Sequence, residues 1–208
     1  MKTKDLYRTN VSKEAPVGTR ETFRKAEHAA DSEGRRVWFK LFSVLLQYPD
    51  EAFVQTAQTL REDYGPSWDG RFASGCRDFL RYLDATPLIS LQEVYVQNFD
   101  LRPSTCLNLT FHELGDSKIR GVALAELSQL YQDAGYEFST EELPDFLPLM
   151  LEFLSVCSPD TALRILERYQ KQIEGRAQRL REVESPYGNV LEALSLFIHE
   201  FMALEIRT

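Results

Sequence analysis

From Arg35 to the end of the chain, apolar residues return every three or four positions, and the runs are cut by proline, glycine or a Ser-Pro pair. That spacing suits one face of a helix and not the alternation of a strand, so it constrains the fold before any motif is considered. Val37, Leu41, Val44, Leu45 and Tyr48 make a first stripe, which Pro49-Asp50 ends, and a second helix runs from there to about Gly65. A third covers Phe72 to Leu83. Ser90-Leu91-Gln92-Glu93 has capping-box spacing, which predicts a helix over Leu91 to Phe99. Asp116 or Ser117 caps the next helix, whose stripe is Ile119, Val122, Ala123, Leu127, Leu130, Tyr131 and Ala134 and whose stop is Gly135. Gly121 inside it marks either close approach of another backbone or a tolerated glycine. Asp145 is the expected N-cap of a helix starting near Pro148, and Ser158-Pro159 and Ser185-Pro186 open two long helices. Their stripes are Leu163, Leu166, Tyr169, Ile173, Ala177 and Leu180, then Val190, Leu191, Leu194, Phe197, Ile198, Phe201 and Leu204. No strand run or sequence repeat competes with this reading. The expected fold is an all-α, single-domain bundle of seven to eight helices over residues 34–208, with residues 1–33 as a charged, mobile extension.

What the chain lacks narrows its function. At 208 residues it can bury roughly 70% of its unfolded surface. No apolar run reaches the roughly 18 to 20 residues of a membrane span, because Lys40, Asp145 and Glu152 interrupt the best ones. The N-terminal lysines are followed by no apolar secretory segment. Three scattered cysteines, Cys76, Cys106 and Cys157, fit a reducing cytoplasm better than a disulfide framework. His112-Glu113 starts like a zinc-protease motif, but Asp116 stands where the second histidine must lie, so neither a metal site nor a cofactor of its own is expected. A net charge of −8 argues against nucleic acid and is compatible with a basic partner or with solubility alone. The nucleotide and hydrolase loops G-x-x-x-x-G-K-[ST], G-x-G-x-x-G and G-x-S-x-G are missing. Glu142 and Asp145, one turn apart, read as helix capping more readily than as a proton-transfer pair.

Four blocks remain, rich in aromatics, acids and prolines. They are Leu45 to Asp50; Tyr95 to Asp100; Leu109 to Gly121 with its Gly115-Asp116-x-x-x-Arg120-Gly121; and Glu142-Leu143-Pro144-Asp145-x-Leu147-Pro148 followed by Leu151 to Leu154. In order and spacing they resemble the delta-subunit family of respiratory nitrate reductases, the NarJ-type chaperones of molybdenum cofactor assembly, within the wider redox-enzyme maturation chaperones of the TorD and DmsD type. The resemblance covers roughly Arg35 to Thr208, and it departs from the family where Phe146 replaces a frequent histidine. It implies a cytoplasmic chaperone, not an enzyme, that binds the apo catalytic subunit of a nitrate-reductase-like molybdoenzyme, including its N-terminal peptide. The chaperone would assist molybdenum cofactor insertion before membrane docking. The client-binding residues it implies are Tyr95, Phe99, Asp100, His112, Asp116, Arg120, Gly121, Glu142, Leu143, Pro144, Asp145, Leu147 and Pro148. Rival readings are a chaperone for a dimethyl sulfoxide, trimethylamine oxide, selenate or chlorate reductase, an enzyme built on Glu142, Asp145 and His112, and a helical adaptor.

Overall fold

A computed structural model describes residues 32–64, 72–136 and 142–205, and among these described residues there are nine α-helices and one π-helical turn. The helices are α1 (Ser32–Leu45), α2 (Glu51–Tyr64), α3 (Ala73–Ala85), α4 (Leu88–Tyr95), α5 (Phe111–Leu114), α6 (Lys118–Asp133), α7 (Leu147–Val156), α8 (Pro159–Glu182) and α9 (Pro186–Glu205). Among the described residues the only β pairing is an isolated antiparallel bridge, Asn108 with Phe146. The all-α expectation holds, and the four-residue α5 is the element the periodicity did not announce. The extension expected over residues 1–33 lies almost wholly outside the described residues.

Most boundaries follow from local chemistry. Asp50 accepts the Phe53 N–H at 2.7 Å, Ser117 that of Arg120 at 3.2 Å and Ser158 that of Thr161 at 3.2 Å, each satisfying a first-turn donor with no intrahelical partner. The capping box at Ser90 does not form. Pro87 cannot continue a helix from α3, so α4 starts directly behind it and Ser90 falls within its first turn. The chain then widens over Val96–Asp100 into a π turn closed by Leu101 N–H on Val96 O at 3.0 Å.

Packing centres on three pairings: α8 with α9, α1 with α7, and α3 with α9. Phe39 of α1 meets Phe197 and Phe201 of α9 edge to face, at 5.0 and 5.8 Å between centroids. Trp38 stands perpendicular to Phe72 at 4.6 Å. Arg35 secures the end of α7, donating to Leu154 O at 2.6 Å and Cys157 O at 2.8 Å. Each aromatic or leucine fully buried here removes surface from water worth about 1.5–3 kcal/mol.

Two glycines behave oppositely. A Cβ on Gly75 would sit 2.4 Å from Asn189 O, because α3 and α9 touch backbone to backbone there. Gly121, read from sequence as a possible close approach, has open space around it. Gly75→Ala is therefore expected to destabilise by about 1–3 kcal/mol through overpacking, and Gly121→Ala to stabilise by about 0.5–1 kcal/mol through helix propensity. Denaturant melts of the two variants check the contrast.

Candidate functional site

The residues between α4 and α6 carry little regular structure, and their polar groups are held from three directions. Asp145, just before α7, is completely buried. Its Oδ1 accepts from Asn108 Nδ2 at 3.0 Å, and its Oδ2 accepts from the Thr110 N–H at 3.0 Å and the Thr110 hydroxyl at 2.6 Å. Arg120 of α6 approaches the same Oδ2 to 3.5 Å, donates through Nε to Thr110 Oγ1 at 3.1 Å, and reaches Asp116 at 3.5 Å. Its guanidinium also lies 5.1 Å from the centroid of Phe111, in cation–π range. Backbone bonds flank the knot: Leu109 N–H to Asp145 O and Leu147 N–H to Leu107 O, both 2.9 Å.

The expectation that Asp145 caps α7 is thus corrected. The cap position is Phe146, with no side-chain bond, and the carboxylate turns away from its own helix to bind Thr110 and Asn108. The reason is supply and demand: the irregular chain at 108–110 has donors without helical partners, and a buried carboxylate satisfies several at once.

From the other side comes Arg176 of α8, also buried. It donates to Cys106 O at 2.7 Å, Asn108 O at 3.0 Å, Leu109 O at 3.1 Å and Gln172 O at 2.9 Å. Burial pulls its basicity below the usual arginine value. Sequence reasoning missed Arg176, yet a signal existed: it stands three residues after Ile173 and four before Leu180, on the apolar face of α8. Tyr131 completes the frame by donating to Pro144 O at 2.9 Å, and burial raises its hydroxyl pKa well above the ordinary tyrosine value.

The thirteen residues implied by resemblance therefore divide. Tyr95, Phe99, Arg120, Asp145, Leu147 and Pro148 are buried, and their side chains shape the site from inside; Tyr95 packs on Phe99 at 4.9 Å and on Tyr48 at 5.3 Å. Asp100, His112, Asp116, Gly121 and Leu143 are exposed, and Glu142 and Pro144 are half-buried. Gly115 closes α5 with φ of 50°, a conformation that favours glycine, which swings Asp116 out to start the turn into α6. The α6 stripe is also corrected: Ile119 and Val122 face solvent at 68% and 59% exposure, while Arg120, Ala123, Leu127 and Tyr131 face inward. The knot at Asp145 takes the Arg120 side of the helix into the protein and leaves its apolar neighbours outside.

The end of the π turn and the residues before α7 bring two acids together. Asp100 and Glu142 lie close enough that Asp100 adds to the effect of burial in raising the Glu142 pKa. Beside them in sequence are Leu101, 72% exposed, and Leu143, 41% exposed. Among the described residues, the Asp145 oxygens are filled by Asn108 and Thr110, His112 is exposed on α5, and neither these two nor Glu142 line the grooves between α8 and α9 or between α6 and α8. Among the described residues no group of three His, Cys, Asp or Glu side chains is placed to hold a metal ion, and no helix is long and apolar enough to cross a membrane.

The chain is similar to known proteins in sequence and in fold. The nitrate reductase delta subunit family matches residues 66–202. A Bacillus subtilis protein named as a probable nitrate reductase molybdenum cofactor assembly chaperone, NarJ, is 31% identical over 168 residues, spanning 77% of this chain and 87% of that protein. The Escherichia coli nitrate reductase molybdenum cofactor assembly chaperone NarJ is 32% identical over 156 residues, 74% of this chain and 66% of its own length. The crystal structure of a proposed redox enzyme maturation protein from Archaeoglobus fulgidus superposes with a TM-score of 0.57 at 23% identity, over 77% of this chain and 91% of that one, and so shares the fold. With a family match over most of its length and a relative 31% identical across most of both chains, this chain belongs to the nitrate reductase delta subunit family.

Proposed function

We propose that this protein is a cytoplasmic, non-enzymatic chaperone that binds the apo catalytic subunit of a nitrate-reductase-like molybdoenzyme and assists molybdenum cofactor insertion. The observation that carries the reading is the alignment with NarJ of Bacillus subtilis across 87% of that chaperone's length. The architecture supports it chemically. Asp100 and Glu142 supply negative charge beside the exposed Leu101 and Leu143, on segments fixed from behind by the π turn and the Asp145 knot. Apolar anchors with an acidic rim suit a basic amphipathic segment, such as the N-terminal peptide of the client: the anchors supply affinity, the acids orientation and speed of encounter. Among the residues implied by resemblance, the exposed set Asp100, His112, Asp116, Gly121 and Leu143 with half-buried Glu142 would meet the client; the buried set would hold them in place.

The test is capture of the untagged apo catalytic subunit, followed by calorimetry with its N-terminal peptide. Wild-type protein should bind 1:1, more weakly as salt rises, because exposed charges are screened over about 8 to 10 Å at physiological ionic strength. Leu101→Lys with Glu142→Lys should weaken binding at least about tenfold, or about 1.4 kcal/mol, with the melting temperature unchanged. Full affinity in the double variant would place the docking surface elsewhere; no capture of the subunit by the wild type would overturn the reading.

A further inference from the structure

Between α8 and α9, away from the Asp145 knot, runs an open groove of about 640 Å³. Ala177 and Leu196 give it apolar surface, and Glu174, Glu182 and Glu192 stand around it. Two of these acids are partnered: Glu192 accepts from Arg181 at 2.7 Å and Glu174 from His199 Nε2 at 2.9 Å. Both pairs are solvent-exposed, and such pairs contribute only about 0–1 kcal/mol, so an incoming lysine or arginine can exchange into them at little cost.

We propose that this groove is the docking surface for the chain's own basic N-terminal segment, residues 1–25. Charge is the first argument. Residues 1–25 contain seven lysines and arginines against three acids, Asp5, Glu14 and Glu21, whereas the whole chain carries −8. The basic residues flank apolar anchors: Arg20, Arg24 and Lys25 surround Phe23, and Lys4 and Arg8 bracket Leu6-Tyr7. The groove has the converse pattern, apolar surface with an acidic rim.

Reach is the second argument. The start of α1 lies beside the end of α9, since Arg35 feels the charge of Glu205 and Phe39 packs on Phe201. From Glu205 back to Leu196, at the groove, is nine helical residues, about 14 Å. Residues 26–31, extended, bridge up to about 20 Å. Phe23 and its basic neighbours therefore reach Leu196. Tethering at this range gives an effective concentration of about millimolar, so a separate peptide with equal contacts gains the groove only near that concentration.

The experiment uses the full chain, with Phe23 replaced by p-benzoylphenylalanine, irradiated and mapped by mass spectrometry. Cross-links should fall within residues 174–199 in a product of monomer mass. Their yield should drop several-fold in Glu182→Gln with Glu192→Gln, and again at about 1 M salt, where the screening length is about 3 Å. Carbodiimide coupling of the unaltered chain should independently join Lys13 or Lys25 to Glu174, Glu182 or Glu192. Cross-links elsewhere on the chain, links only in a product of dimer mass, or no link by either chemistry would overturn the proposal. No client is used, so its outcome is separate from that of the chaperone reading.

Discussion

Asp145→Ala should lower the unfolding free energy by about 3–5 kcal/mol, because it leaves the buried Arg120 without its interior counter-charge and strands the donors of Thr110 and Asn108. For a domain of this size that is a fall of roughly 6 to 20 °C in Tm. Asp145→Asn separates this role from helix capping. Asparagine caps a helix about as well as aspartate, so a cap would tolerate the change. In the knot, the new amide NH2 opposes the Thr110 N–H if it turns that way, and turned the other way it requires the Asn108 amide to flip; in both cases the buried Arg120 loses its interior counter-charge. A loss of about 1–3 kcal/mol is expected for that mismatch. A thermal melt of Asp145→Asn that coincides with wild type would show that the carboxylate is not what holds residues 108–110.

Arg176→Met should be comparably severe and more local. Methionine fills much of the volume but leaves the carbonyls of Cys106 and Leu109 without their donor, while Asn108 O keeps the Phe111 N–H at 3.1 Å. Each buried, unsatisfied acceptor costs about 1–3 kcal/mol, so a total of about 2–6 kcal/mol is expected. Arg176→Lys should recover only part of it, because one ammonium cannot span carbonyls that a planar guanidinium reaches from three nitrogens. Hydrogen exchange is the discriminating measurement. Protection should fall first over residues 105–121, while the paired helices α8 and α9, with their own buried apolar faces, stay protected. Uniform loss across the chain would mean that Arg176 supports the whole bundle and not this segment.

Both variants touch buried members of the family motifs or their supports, and neither changes the exposed acids or leucines. Loss of client binding in such a variant would therefore report a displaced surface. Leu101→Lys with Glu142→Lys, by contrast, alters the surface and leaves the knot alone. Comparing the two kinds of change separates the residues that meet a partner from those that position them.

Local chemistry in the sequence determined the helices, most of their ends and the family. Periodicity is a property of a single helix, and a serine or aspartate at a helix start acts within one turn, so the starts at Asp50, Ser117 and Ser158 were legible without any tertiary information. The motif blocks were legible for the same reason: each is a short run of neighbouring residues. Which face of α6 turns inward was not. Ile119 and Val122 read as core because they are apolar, and they are exposed because Arg120 is drawn inward to Asp145 and Thr110, residues 25 positions later and 10 positions earlier in the chain. Arg176 and Asp145 are likewise charged side chains on inward-facing positions, a placement that burial disfavours unless partners are supplied. Most of those partners are backbone and side-chain groups of residues 106–110, a segment without regular structure, brought close only when α7 and α8 pack against it. The tertiary structure alone decided this, because a buried charge is stable only where distant parts of the chain complete its hydrogen bonds.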